Sequence, residues 1–231
     1  MWRGRAFLLA LIFCASAEAQ EQTYAISAFG TFTTSSKLFY HPNDPDDLRR
    51  GQYLPLDNAF SGGIEVRREL PSLRIRVGLS IEIISKKETI NLPSASTFIP
   101  VNDGFVAVPV ELSGYFMIPV GSDHTYMYMG GGIGAYFGNR IYEFPGARAE
   151  TVGRSPGFGI HVLTGFEYDA EERISLRTEI KFRDVQFESV NQFIQPSITY
   201  RGSVIPLNQE PQTSRINIDG MVVSFGLAYH L

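Results

Sequence analysis

From Thr23 onward the chain alternates apolar and polar residues with a period of two, in runs of about ten residues. That is the length a tilted strand needs to cross a bilayer. The clearest run is Ile174-Ser175-Leu176-Arg177-Thr178-Glu179-Ile180-Lys181-Phe182-Arg183. Ile, Leu, Thr, Ile and Phe fall on one face; Ser, Arg, Glu, Lys and Arg fall on the other. Leu73, Ile75, Val77, Leu79, Ile81 and Ile83 form a second apolar phase, opposite Arg74, Arg76, Gly78, Ser80 and Glu82. The same test predicts eight strands, at about 23–33, 58–68, 73–85, 105–118, 125–139, 157–168, 174–185 and 216–231. The other apolar phases run through Ile26, Ile64, Val110, Met129, Ile160 and Val223. None of the phases carries a charge in its spanning part. A charge facing hydrocarbon costs about 2–4 kcal/mol at the midplane, so a lipid-facing surface requires this absence.

The connections alternate in length. Glu69 to Ser72, Pro119 to His124 and Asp169 to Arg173 are tight, whereas 34–57, 86–104, 140–156 and 186–215 are long and polar. Short turns at one end and long loops at the other are the layout of a transmembrane barrel. The predicted fold is therefore all-β: an eight-stranded antiparallel up-and-down transmembrane β-barrel. A soluble barrel of the lipocalin type is the rival, and it needs the faces reversed, apolar inside and charged outside. Period-two alternation alone does not say which face is which.

In the lipid reading the opposite phase points inward. It holds Glu65, Glu82, Glu111, Glu167 and Glu179 against Arg67, Arg74, Arg76, Arg177, Lys181 and Arg183. An eight-stranded barrel is just wide enough for its own side chains. Buried charges there must be paired, or each costs several kcal/mol in lost hydration. The near balance, with Tyr126, Tyr128, Tyr136 and His161 to complete hydrogen bonds, predicts a packed polar core in preference to a channel. Gly130, Gly131, Gly132 and Gly134 crowd one strand, where they allow tight coiling and let the tyrosines pack over bare backbone. Pro109 fits badly at mid-strand, since it donates nothing to a ladder, and predicts a bulge or an early break.

The start of the chain is different. Arg3 and Arg5 precede the apolar run Ala6 to Phe13, and Ala17-Glu18-Ala19 offers small residues for a signal peptidase. Residues 1–19 are read as a cleaved signal peptide and 20–231 as the barrel domain. Cys14, the single cysteine, falls in the leader after Phe13, which does not suit a lipobox, and its removal leaves no thiol chemistry. No apolar run is long enough for a transmembrane helix. The formal charge of −4 argues against a nucleic-acid partner.

At the far end, Ser224-Phe225-Gly226-Leu227-Ala228-Tyr229-His230-Leu231 resembles the terminal β-signal read by the barrel assembly machinery. Ser224, Gly226, Tyr229 and Leu231 occupy its positions, with Leu where Phe is commoner. Gly165-Phe166-Glu167-Tyr168 and the strand from Ile174 resemble the last hairpins of small barrels of the OmpA/OmpX/OmpW kind. The resemblance implies a bacterial outer-membrane location with lipids, lipopolysaccharide and the assembly machinery as partners, and a monomer. It implies no single activity, because such barrels serve adhesion, defence, small-molecule passage and lipid enzymology.

No catalytic, cofactor-binding or metal-ligating residue is designated by the sequence. Asp44, Asp46 and Asp47 in the first long loop could hold Ca²⁺ or bridge lipopolysaccharide, but a solvated, turn-rich loop is the simpler reading. A lipid-modifying enzyme needs a Ser–His pair at the outer rim. His41 beside Ser35 or Ser36 is the candidate, since His124 and His230 fall at the opposite end and His161 faces inward. The preferred function is a non-enzymatic barrel acting through its loops (structural, adhesive or surface-interacting). A narrow or laterally opening pore and a lipid-modifying enzyme are the alternatives.

Overall fold

A computed structural model describes residues 24–231, apart from 71, 72, 74, 95, 96 and 121–123. The expected signal peptide and Arg74 lie outside the described residues. In chain order the elements are β1 (Tyr24–Thr33), β2 (Lys37–Phe39), α1 (Asp47–Arg50), β3 (Tyr53–Pro55), β4 (Ala59–Leu70), β5 (Ile75–Ser94), β6 (Thr97–Pro119) and β7 (Thr125–Phe144). There follow β8 (Ala147–Arg148), β9 (Glu150–Ser155), β10 (Gly157–Glu171), β11 (Ile174–Gln192), β12 (Ser197–Tyr200), β13 (Ser203–Pro206), β14 (Gln212–Ile218) and β15 (Met221–His230).

Eight of these strands form the barrel. In the order β1, β4, β5, β6, β7, β10, β11, β15 each pairs antiparallel with the next. The ring closes where β15 pairs β1, from Ala25↔His230 to Thr33↔Val222. Closure removes the unpaired edges that an open sheet would present to lipid.

The outward phase is the apolar one. Ile64, Ile83, Ile133, Phe158, Ile160 and Phe225 are each 56–78 % exposed, a continuous surface that water would not tolerate and hydrocarbon requires. Its limits are visible along single strands. On β11 the outward positions run Leu176, Thr178, Ile180, Phe182 and then Asp184; on β4 they run Phe60, Gly62, Ile64, Val66 and then Arg68. Aromatic rings mark both edges, with Phe32 against Phe60 (centroids 5.1 Å apart) at the long-loop side. At the short-turn side the Arg68 guanidinium lies 5.5 Å from the Tyr24 ring centre. Such girdles belong at the two lipid–water interfaces. Ile180→Arg is accordingly expected to cost about 2–4 kcal/mol, and Asp184→Arg, two residues along the same face, about 0–1 kcal/mol. Urea titration of the protein folded into lipid vesicles measures both.

Several boundaries differ from the sequence reading. The predicted loop 86–104 is strand: β5 and β6 stay paired from Ser85↔Val106 to Ser94↔Thr97. Part of the predicted loop 186–215 is also strand, with β11 paired to β14 from Val185↔Ile218 to Asn191↔Gln212. The predicted last strand, 216–231, is broken at Asp219-Gly220, where a Cβ on Gly220 would lie 2.7 Å from the Ser35 nitrogen. Ser197 to Val204 does not extend the final hairpin but forms its own, β12–β13, turning at Arg201 and Gly202. Their φ values of 49° and 83° are those of a two-residue hairpin turn that matches strand twist.

Pro109 causes neither a bulge nor a break. On one side it keeps its place between Val108↔Phe137 and Val110↔Ala135. On the other, pairing pauses between Ile81↔Val110 and Ile84↔Ala107 and resumes without a shift. The missing N–H is absorbed by unmade rungs, so the inward and outward phases of β6 are the same above and below it.

Candidate functional site

The interior is the part of the molecule with chemistry in it. At its centre Glu65, on β4, accepts hydrogen bonds from Arg67 Nε and Arg177 Nη1, both at 2.8 Å, and from the Tyr115 hydroxyl. The Arg67 guanidinium lies 3.5 Å from the Tyr115 ring centre, and Tyr128 meets Tyr115 edge-on at 5.7 Å. Tyr128 in turn donates to Glu179 at 3.2 Å. Room for its ring exists because residue 165 is glycine: a Cβ there would sit 2.6 Å from the phenol. Toward the short turns Arg76 bridges Glu167 at 2.7 Å and Glu69 at 3.1 Å. Toward the long loops Lys181 pairs Glu111 at 2.7 Å and Arg183 pairs Glu82 at 3.0 Å. Thr31 and Ser61 also donate to Glu82, at 2.8 and 2.5 Å, and Tyr136 donates to Glu111.

Ions taken out of water need partners of this kind: Glu65, Glu82 and Glu111 each have several donors, while Glu167 and Glu179 each accept one close hydrogen bond and otherwise face guanidiniums at 3.6–3.7 Å. Interior cavities among these groups measure about 20 and 10 Å³. Each is the space of roughly one water molecule, so the interior is filled.

Beyond Arg183 the inward phase changes character. Leu38, Leu56, Ile84, Phe105, Phe187, Ile216 and Ile218 are buried together in one apolar layer across the long-loop end. Phe105 and Phe187 meet edge-on at 6.3 Å, and Gly138 leaves the space the Phe187 ring fills. Above the layer Arg140 grips Asp103 through two nitrogens at 2.8 and 2.6 Å and donates to Ser214 at 2.8 Å. Tyr142 and Tyr40 flank that guanidinium, at 4.2 and 5.2 Å from it to their ring centres. Burial, with Asp103 nearby, pushes the Tyr40 hydroxyl up to about 12. A second small core of Phe193, Ile198, Leu207, Ala147 and Ala149 then seats the β12–β13 hairpin.

No protein-family model and no curated protein sequence matches the chain. Solved structures do. Neisserial surface protein A superimposes with a TM-score of 0.50 and 13 % identity, over 90 % of this chain and 97 % of its own. Outer membrane protein OprG from Pseudomonas aeruginosa does so with a TM-score of 0.54 and 13 % identity, over 90 % and 95 %. The fold is that of the small outer-membrane β-barrels. At such identity the likeness concerns architecture alone.

Within this outer-membrane barrel fold the residues singled out by sequence have definite places. The charged inward phase is assembled as predicted, except that Arg74 lies outside the described residues. His161 faces inward, bonded to Ser113 at 2.9 Å. His41 is exposed on the first long loop. Ser36 is buried and donates to the Leu56 carbonyl at 2.5 Å, so its hydroxyl ties the loop down. Asp44, Asp46 and Asp47 do not converge on a cation. Asp44 accepts from the Asp46 N–H and Asp46 caps α1 at Leu48 N, both at 2.9 Å, while Asp47 pairs Arg50. At the opposite end Ser175 joins Asp169, at 2.8 Å, to His230. Sequence reasoning missed Tyr115, the apolar layer and the Asp169–Ser175–His230 chain. Tyr115 was detectable, because it shares the phase of Glu111 and Ser113.

Proposed function

We propose that this chain is an integral outer-membrane protein without enzymatic activity, whose closed barrel carries a rigid surface for contacts outside the cell. One observation carries the reading: the interior is filled twice over, first by paired ions and then by an apolar layer beneath the long loops. A filled lumen gives solutes no aqueous route, so what is presented is the long-loop end, where rigid scaffolds commonly carry binding. β-Structure extends well above the apolar belt in β5, β6 and β11, so this surface is held in place. Its partners in this reading are outer-membrane lipids and lipopolysaccharide around the belt.

Residues 1–19 serve in the same reading as the export signal, removed after Ala19. Ser224, Gly226, Tyr229 and Leu231 serve as the assembly signal. The strand carrying the first three closes the ring onto β1.

Planar-bilayer recording of the refolded protein is expected to show no discrete openings at any voltage. Steady unitary currents would overturn the filled-lumen reading. Unaltered lipid A in cells overproducing the protein is the expected companion result; a changed acylation pattern would replace it with the enzymatic one.

A further inference from the structure

We propose that the short-turn mouth of the barrel holds a divalent transition-metal ion through Glu167, Asp169 and His230. The three residues come from two strands on either side of β11. Glu167 and Asp169 are successive inward positions of β10, and His230 is the last inward position of β15, with β11 between them. Register brings them together: Asp169 is opposite Ser175, and Ser175 is opposite Ala228, two residues before His230. Their ligating atoms all lie within 4.8 Å of one another, and His230 Nε2 is 4.0 Å from Glu167 Oε1. Bonds of about 2.0–2.2 Å to nitrogen and oxygen therefore need only small side-chain rotations to meet at one ion.

Two further features suit an ion. The first is orientation. Ser175 donates to Asp169 Oδ1 at 2.8 Å and its oxygen also meets His230 Nε2, so an ion on that nitrogen takes the place of the second contact while Ser175 stays on Asp169; Arg76 holds Glu167 at 2.7 Å through one lone pair of Oε1. The His230 backbone N–H is anchored on the Arg173 carbonyl at 2.9 Å. Outer partners that fix ligands in this way are the usual support of a metal site. The second is charge: Glu167 and Asp169 bring two carboxylates to this mouth beside the one guanidinium of Arg76. An imidazole with two carboxylates favours zinc and its neighbours over Ca²⁺, which prefers six to eight oxygens. Bound there, the ion would tie the last strand to β10 across β11.

The test is calorimetric titration of Zn²⁺ into the folded, metal-stripped full chain in detergent, with Ca²⁺ titrated separately. One Zn²⁺ per chain is expected, with Asp169→Asn and His230→Gln each weakening binding at least about tenfold and Ser175→Ala about tenfold. His41→Ala and His124→Ala are expected to leave it unchanged. Each variant is first checked for the native heat-dependent gel shift. If His230→Gln fails that check, Asp169→Asn and Ser175→Ala decide. No Zn²⁺ bound, binding unaltered in Asp169→Asn, or tighter binding of Ca²⁺ would each overturn the proposal.

Discussion

Replacing Glu65 by leucine is expected to cost the folded barrel about 3–5 kcal/mol, the usual penalty for removing one partner of a buried ion pair. The carboxylate is 4 % exposed and holds two guanidiniums, at 2.8 Å each, besides the Tyr115 hydroxyl. Without it the ionic contacts left to Arg67 and Arg177 are the longer ones to Glu167 and Glu179, at 3.6–3.7 Å, with the Ser27 hydroxyl still accepting from Arg177 at 3.0 Å. Two cations would then remain in the barrel centre with one strong acceptor fewer. Urea unfolding in lipid vesicles, followed by far-ultraviolet circular dichroism, measures the loss. Pairing Glu65→Leu with Arg177→Met is expected to cost less than the sum of the single changes, because it removes the orphaned charge along with its partner. A cost for Glu65→Leu below about 1 kcal/mol would instead describe a hydrated interior with the ions screened as at a surface.

Phe187→Ala is expected to cost a similar amount, about 3–5 kcal/mol, for a different reason. Phe187 is 2 % exposed and packs on Phe105, with its ring in the space that Gly138 leaves. Truncation removes apolar burial and opens a cavity above Val185 and, one inward position lower, Arg183, whose side chain is wholly buried. Amide exchange should therefore quicken in the upper half of β11 and in β14 while the lower halves of β10 and β11 stay protected. A uniform change along the strands would show that the apolar layer is not a separate packing unit. Because the ion-paired interior lies beneath, the variant is still expected to be silent in planar bilayers.

The contrast between these two sites explains how far the sequence could be read. Strands such as Ile174–Arg183 are legible because lipid and lumen demand opposite chemistry at every step, so the alternation is sharp. Beyond Arg183 the demand reverses. The outward positions become Asp184, Gln186 and Glu188, and the inward ones become Val185 and Phe187. The period of two persists, but its polarity flips, and a search for apolar-outward strands ends there. This is why 86–104 and much of 186–215 read as loops. Above the belt the same strands take the face pattern of the soluble-type rival, apolar inside and polar outside. The Asp169–Ser175–His230 grouping was hidden for another reason. It depends on the pairing register between strands, which a single sequence does not specify. Pro109 misled in the opposite direction, because its local cost was legible and the surrounding ladder simply tolerated it.

The polarity flip also acts as a depth gauge. Sliding the molecule outward by one residue pair would bring Phe182 into water, and sliding it inward would press Asp184 into hydrocarbon, so its height in the bilayer has one setting. Everything above that line is then held at a known altitude. From Ser85 to Ser94 the β5–β6 hairpin climbs ten residues. At about 3.3 Å per residue, less the tilt, its last described pair, Ser94↔Thr97, stands on the order of 20–30 Å clear of the hydrocarbon. Contacts made there occur beyond the lipid headgroups, whereas those made by α1 and the first long loop occur at whatever lower level β2 and β3 set for them.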